Sequence, residues 1–223
     1  MFEEHRCGEH QSGERPILVI ACGALAREIE ALSRRWGWKH LHLKCIDAKL
    51  HNRPAEIPAR LRKMIRRHRS AYDEIFVAYA DCGTGGGIDR VLAEEGAQRL
   101  EGAHCYEFFA GRERFAALSR AEPGTFYLTD FLARHFDQFV IKPLGLDRNP
   151  ELRDAYFGNY RKLVYLSQTE DAGLLESATR AAARLDLEFE HVHCGYGELE
   201  TSLAARFSRG RSIPIAAEGN SGA

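Results

Sequence analysis

Short apolar runs that alternate with amphipathic helical stretches constrain this chain more than any other feature. ILVIAC (17–22), HLHLKCI (40–46), EIFVAYA (74–80), GAHCY (102–106), KLVYLSQT (162–169) and LEFEHVH (187–193) read as strands. Between them lie helical patterns. ALAREIEALSRRW sets Leu25, Ile29 and Leu32 on one face, and a second helix starts near Glu56 with Pro58 in its first turn. Further helices are read over about 88–97, in FFAGRERFAALSRA, in DAGLLESATRAAARL and up to about Phe207, with FYLTDFLARHF and ELRDAYFGNYRKL also helical and IPIA (213–216) a last short strand. Strands that are apolar on both sides and separated by helices require crossover connections. The alternation therefore predicts an α/β fold, a mostly parallel sheet with helices on both faces, with two Rossmann-like βαβ halves as one arrangement. The domain is expected over residues 16–216, with sub-lobes 16–124 and 125–216, a loose leader at 1–15 and a loose tail at 217–223.

Charge excludes one class of partner. The 223 residues carry 31 basic and 32 acidic side chains, a net charge of −1, so no overall basic field points to nucleic acid. The basic run RLRKMIRRHR encloses Leu61, Met64 and Ile65 at helical spacing and reads as the solvated face of a helix. No apolar stretch approaches the roughly 20 residues that cross a bilayer, and the polar N-terminal sequence does not read as a signal peptide. A cytoplasmic location is expected. There the six cysteines stay reduced, which favours metal or nucleophile roles over disulfides.

Three of these cysteines fall at related places. Cys22 ends the first strand pattern, Cys82 follows the third, and Cys105 lies at the end of GAHC. In a parallel sheet all strands end at one edge, where ligand sites collect, so the three thiols are expected to converge there. Helices starting just beyond would favour the thiolate forms. No C-x-x-C pair is present, so a closed structural zinc site is not indicated. Three separate ligands suit an open centre that holds zinc, with His51 from the loop after the second strand as fourth ligand and an iron–sulfur cluster as the alternative. A small, buried, apolar role for each cysteine is the competing reading. In YADCGTGGGID, the glycines Gly83, Gly85 and Gly86 mark a sharp turn, with positive φ expected at Gly83 or Gly85, which brings backbone amides to a cofactor phosphate or close to a ligand at Cys82. No Lys-Ser/Thr pair follows, so this is not a P-loop. Glu107 is a candidate acid–base group or oxygen ligand, against the simpler role of a carboxylate at a helix start. Tyr106, Phe108 and Phe109 wall a pocket or fill a core. Thr169 is a natural helix N-cap, and Gln168 beside it a substrate-facing candidate.

The ordered run IACGALAREI, LHNRP, YADCGTGGGID, GAHCYEFFAG, EPGTFYLTDFLARHF, GLDRNPEL and YFGNYRKLVYLSQT resembles an uncharacterised family over about residues 16–200. Its members are encoded in methanogens and proteobacteria, often beside corrinoid-dependent methylamine or betaine methyltransferases. The resemblance implies a setting of one-carbon transfer from a small methylated substrate, with a corrinoid protein or a methyltransferase as partner. The expectation is a metal-binding protein with a three-cysteine site in that chemistry. The alternatives are a metal-free enzyme with cysteine acid and base, as in two-lobed racemases, and a non-enzymatic partner of a corrinoid protein.

Overall fold

The computed structural model describes residues 16–208. The expected leader with Cys7, the strand at 213–216 and the tail at 217–223 lie outside the described residues. Two parallel sheets organise the rest. The first has the order β2-β1-β3-β4, from β1 (Ile17–Cys22), β2 (Leu41–Ile46), β3 (Glu74–Ala78) and β4 (Gln98–Arg99). The second has the order β5-β6-β7, from β5 (Thr125–Leu128), β6 (Lys162–Ser167) and β7 (Glu188–His193). Around them pack α1 (Ala26–Trp36), α2 (Ile57–His68), α3 (Gly87–Glu95), α4 (Cys105–Ala110), α5 (Arg112–Ala121), α6 (Asp130–Arg134), α7 (Leu152–Phe157), α8 (Ala172–Leu185) and α9 (Gly197–Phe207). The expected α/β architecture is present, as two parallel sheets flanked by helices.

β1 takes the centre because it is apolar on both faces. Leu18, Val19, Ile20 and Ala21 are each at most 1% exposed, and burying such a Leu or Ile side chain contributes about 2 kcal/mol. β2 and β3 flank it in register, Ile20 opposite Lys44 and Val77. The chain leaves β1 toward β2 and then crosses back to β3. Loops after β1 and β3 therefore diverge and leave a crevice at the carboxyl edge between them. The basic run of α2 is its solvent face, as expected: Leu61, Met64 and Ile65 are buried, while Arg62 and Arg66 pair with Glu94 and Glu95.

Two elements differ from the sequence reading. GAHCY is not a strand, so Cys105 does not end one. β4 has only two residues, after which the chain runs on beside the end of β3 through Leu100 N–H to Val77 O (3.0 Å) and Cys82 N–H to Ala103 O (3.0 Å). Cys105 then opens α4, because Phe108 and Phe109 reach the core only from a helix. FYLTDFLARHF is also not one helix. Its first residues form β5, paired with Leu163–Tyr165 of β6, and Thr129 breaks the run before α6. Three-residue apolar spacing is shared by a strand followed by a short helix and by a single helix; sheet pairing decides between them.

Among the described residues the hydrophobic side chains form three clusters, and two of these draw residues from both sides of position 124. α9 follows the second sheet, yet Leu199, Leu203 and Phe207 sit in the first core beside Phe76 and Trp38. Trp36 and Trp38 donate to Glu200 and Ser208 at 2.9 and 3.1 Å, which fixes the returning helix against α1 and β2. The turn after β1 packs against α6, which follows β5, and α4 packs against β6. The carboxyl edges of the two sheets thus face each other.

Candidate functional site

The site begins at the crevice between β1 and β3. Cys22 is 3% exposed and accepts the Ala24 amide at 3.3 Å, in the short 3-10 turn Gly23–Leu25 that leads into α1. Its sulfur lies 3.8 Å from Nδ1 and 4.0 Å from Nε2 of His51. His51 comes from the 3-10 segment Ala48–Asn52 after β2, and its Nδ1–H donates to the Ala48 carbonyl at 3.0 Å. That bond fixes the tautomer and leaves the Nε2 lone pair as an acceptor toward the neighbouring thiols. The ring stacks on Tyr79, with centroids 5.9 Å apart and planes 15° from parallel. Burial disfavours the imidazolium, but the Cys82 sulfur and the Ala48 carbonyl outweigh it and raise the His51 pKa.

Cys82 is half-buried and has φ +48°, a left-handed backbone rare for a residue with a side chain. The loop beyond it answers what its glycines approach. Gly83 and Gly85 have φ of 79° and 59°, as expected, and Gly86 beside them has 75°. The curl wraps Asp81, whose carboxylate accepts Thr84 Oγ1 (2.6 Å), the Gly86 amide (2.9 Å) and the Gly85 amide (3.1 Å). Burial pushes this carboxyl up, and the three donors outweigh it and hold it below the usual carboxylate range. Two of the amides that a phosphate would use are thus committed to a negative side chain. The loop is a clasp that aims Cys82.

Cys105 reaches the same place from the other side of β3, and its titration is affected by the charges of Cys82 and Cys22. The structure therefore brings Cys22, Cys82, Cys105 and His51 to one edge, around Tyr79. Among the described residues, no three His, Cys, Asp or Glu side chains are spaced as in a formed metal centre. Helix starts were expected to favour thiolates. At Cys22 burial wins, pushing the pKa up to about 11 despite the Ala24 amide, and burial likewise raises Cys105. The Tyr79 hydroxyl is buried with no partner at hydrogen-bonding distance, with the Cys22 sulfur near enough to affect it, and its pKa is raised by burial.

Other candidates have local roles. Glu107 turns back to the Ala103 amide at 3.4 Å, at the start of its own helix. Phe108 and Phe109 are core residues. Thr169 does not cap α8. Asp171 does, accepting the Gly173 and Leu174 amides at 2.8 and 3.1 Å. Cys194 lies beyond β7, at the end of the second sheet, and exposed Cys45 lies on β2.

Two acidic residues were not singled out from the sequence. Asp130, 2% exposed, opens α6 at the carboxyl edge of the second sheet. It accepts Tyr165 Oη (2.6 Å), Thr169 Oγ1 (2.6 Å) and the amides of Gln168 and Thr169 (3.0 Å each), while Gln168 Oε1 accepts the Asp130 amide at 2.8 Å. Gln168 is thereby spent on structure. Glu28, 5% exposed, lies in the first turn of α1, and its Oε2 has no partner. Burial pushes its pKa up to about 6, with Asp130 adding to the rise and Arg134 and Arg27 opposing it, and its charge in turn acts on Cys22 and Cys105. It stands between the two facing edges. The signal was available: position 28 falls on the stripe of Leu25 and Leu32, and an acid on a buried stripe needs a reason.

Residues 45–203 match a family described as a protein of unknown function, DUF1638. The chain belongs to that family. No curated protein and no solved structure matches it. The DUF1638 match starts at Cys45 and takes in His51, Cys82 and Cys105 but not Cys22, so one thiol of the cluster lies ahead of the matched region. No helix among the described residues is long and apolar enough to cross a membrane.

Proposed function

We propose that this protein is a metal-binding protein in which Cys22, Cys82, Cys105 and His51 hold a zinc ion at the crevice between β1 and β3. The observation that carries this is the tie of His51 Nδ1–H to the Ala48 carbonyl at 3.0 Å, with Cys22 on the same ring. A metal-binding histidine almost always donates its second nitrogen to a carbonyl or carboxylate, which orients the ring and fixes the tautomer. With Zn–S near 2.3 Å and Zn–N near 2.05 Å, a tetrahedral ion separates sulfur and nitrogen by about 3.6 Å. Cys22 Sγ lies 4.0 Å from His51 Nε2 and 3.8 Å from Nδ1, so the two residues are already neighbours, and sharing an ion requires the thiol and ring to turn until the Nε2 lone pair aims at it.

Each residue has a part in this reading. Cys22 and Cys105, whose burial keeps them protonated, lose their protons when the ion binds. Cys82, on its glycine clasp, is the ligand nearest solvent. Tyr79 supports the imidazole face and keeps water from it. Bound there, zinc would supply Lewis-acid activation of a donor atom on a small substrate entering between the two edges. One-carbon transfer from a methylated compound, with a corrinoid protein or methyltransferase as partner, is the setting that the sequence resemblance adds to the proposal.

What favours this over acid–base catalysis by two thiols across a cleft is that Cys22, Cys82 and Cys105 all follow strands of the first sheet, while Cys194, after the second, stands apart. Elemental analysis of untagged protein, prepared in air and without oxygen, tests the proposal. One zinc per chain is expected, with metal content falling sharply on serine substitution at Cys22, Cys82 or Cys105 and staying unchanged at Cys45. Iron with acid-labile sulfide would replace zinc by a cluster. Protein free of metal under both preparations would overturn the reading.

A further inference from the structure

Away from the thiols, a cavity of about 450 Å³ lies along the groove between α6, the segment that follows it, and α8. Small side chains make the space. Ala133, Ala181 and Phe136 line its floor, and all three are less than 9% exposed. The wall after α6 is a wide π-type turn, Asp137–Ile141, closed by Lys142 N–H to the Asp137 carbonyl at 2.9 Å. Such turns are rare and frequent at functional sites, because the extra residue swings neighbouring side chains outward.

The rim is one-sided in charge. Arg134, Lys142, Arg180 and Arg184 line the cavity against one carboxylate, Asp137, on a chain whose net charge is −1. Arg184 is paired with Asp137, and Arg180 with Glu176, both as exposed pairs that contribute little to stability. Arg134 and Lys142 make no ion pair among the described residues. Two unpaired cations and two weakly held ones therefore surround one cavity, where their fields add. Ser177 and Gln138 supply neutral hydrogen-bonding groups on the same walls.

We propose that this groove is a binding site for a phosphate-bearing small molecule. The charge excess matches an anion carrying more than one negative charge, and guanidinium groups meet phosphate oxygens with two parallel hydrogen bonds. The alanine and phenylalanine floor suits an apolar body attached to that phosphate, and the cavity lies in the size range of small-ligand sites. This site is separate from the thiol cluster, and its occupancy does not depend on a metal.

Calorimetric titration of the full chain with ADP, pyrophosphate and inorganic phosphate tests it, with adenosine as the uncharged comparison. Saturable one-to-one binding of at least one phosphate probe is expected, with none for adenosine. Lys142→Glu and Arg134→Gln should each weaken it about tenfold or more, the scale of a lost charge-assisted hydrogen bond. Lys63→Glu, an equal change of charge on the exposed face of α2, should leave it within about twofold, since distant exposed charges are screened. Absence of saturable binding for all three phosphate probes overturns the proposal, and so does an equal loss in Lys63→Glu. Circular dichroism of each variant identifies any loss that comes from unfolding.

Discussion

At Cys82 stability and chemistry pull in opposite directions. A side chain at φ +48° costs about 1–2 kcal/mol, and glycine there would recover that less the 0.5–1 kcal/mol that a freer chain loses on folding. Cys82→Gly should therefore raise stability by about 0.5–1 kcal/mol in chemical denaturation while it removes most of the zinc of the proposed site. A less stable variant would show that the thiol contributes to the fold itself. Glu28 gives a second case. Its pKa is raised to about 6 from an ordinary 4.5, so the folded state holds its proton more tightly than the unfolded chain. Stability from this group is present below pH 4.5 and is lost as pH rises through 6, by roughly 2 kcal/mol. Glu28→Gln should flatten that part of the pH dependence, measured as unfolding free energies at pH 4.5 and 7. Identical slopes for variant and parent would mean that Oε2 has a partner in solution.

Among the elements, the sharpest constraint is where α4 meets α9. Gly197 has φ +48°, and a Cβ there would collide with the Phe109 carbonyl. Gly197→Ala should cost about 1–3 kcal/mol, seen as a drop in melting temperature of several degrees, because neither backbone yields cheaply. An unchanged melting temperature would mean that the two helices separate freely. The helices and strands were largely legible because β1, β3 and β6 are apolar on both faces and α1, α2 and α8 carry clear stripes. The convergence of Cys22, Cys82 and His51 on one edge followed from strand ends and the parallel-sheet rule. Cys105 reached that edge by another route. Its helix is set by Phe108 and Phe109 meeting a core that includes α9, a contact some ninety positions away that no local pattern encodes. Glu28 was visible as an acid on an apolar stripe, but its meaning depends on the second sheet lying opposite. Thr169 had the right chemistry for a cap and was taken by Asp130, from a strand end that pairing alone defines.

For the molecule as a whole, α9 ties the segment that follows the second sheet to the core of the first. Both tryptophans of the chain are bonded to α9 or the residue after it, so their fluorescence reports its docking. Fluorescence and far-ultraviolet circular dichroism should follow the same denaturation curve. A fluorescence change at clearly lower denaturant would show that α9 peels away before the sheets unfold. The facing of the two carboxyl edges has a consequence for descent with modification. One wall of the cleft carries the thiols and is braced by the first core, whereas the other carries Asp130 and is braced by the second. Side chains that face the cleft can change on one wall without changing on the other, so the ligands of the proposed metal site and the range of molecules admitted to it are free to diverge on separate schedules. A hybrid that takes residues 125–193 from another member of the family should keep the zinc of the proposed site and change only what that site accepts.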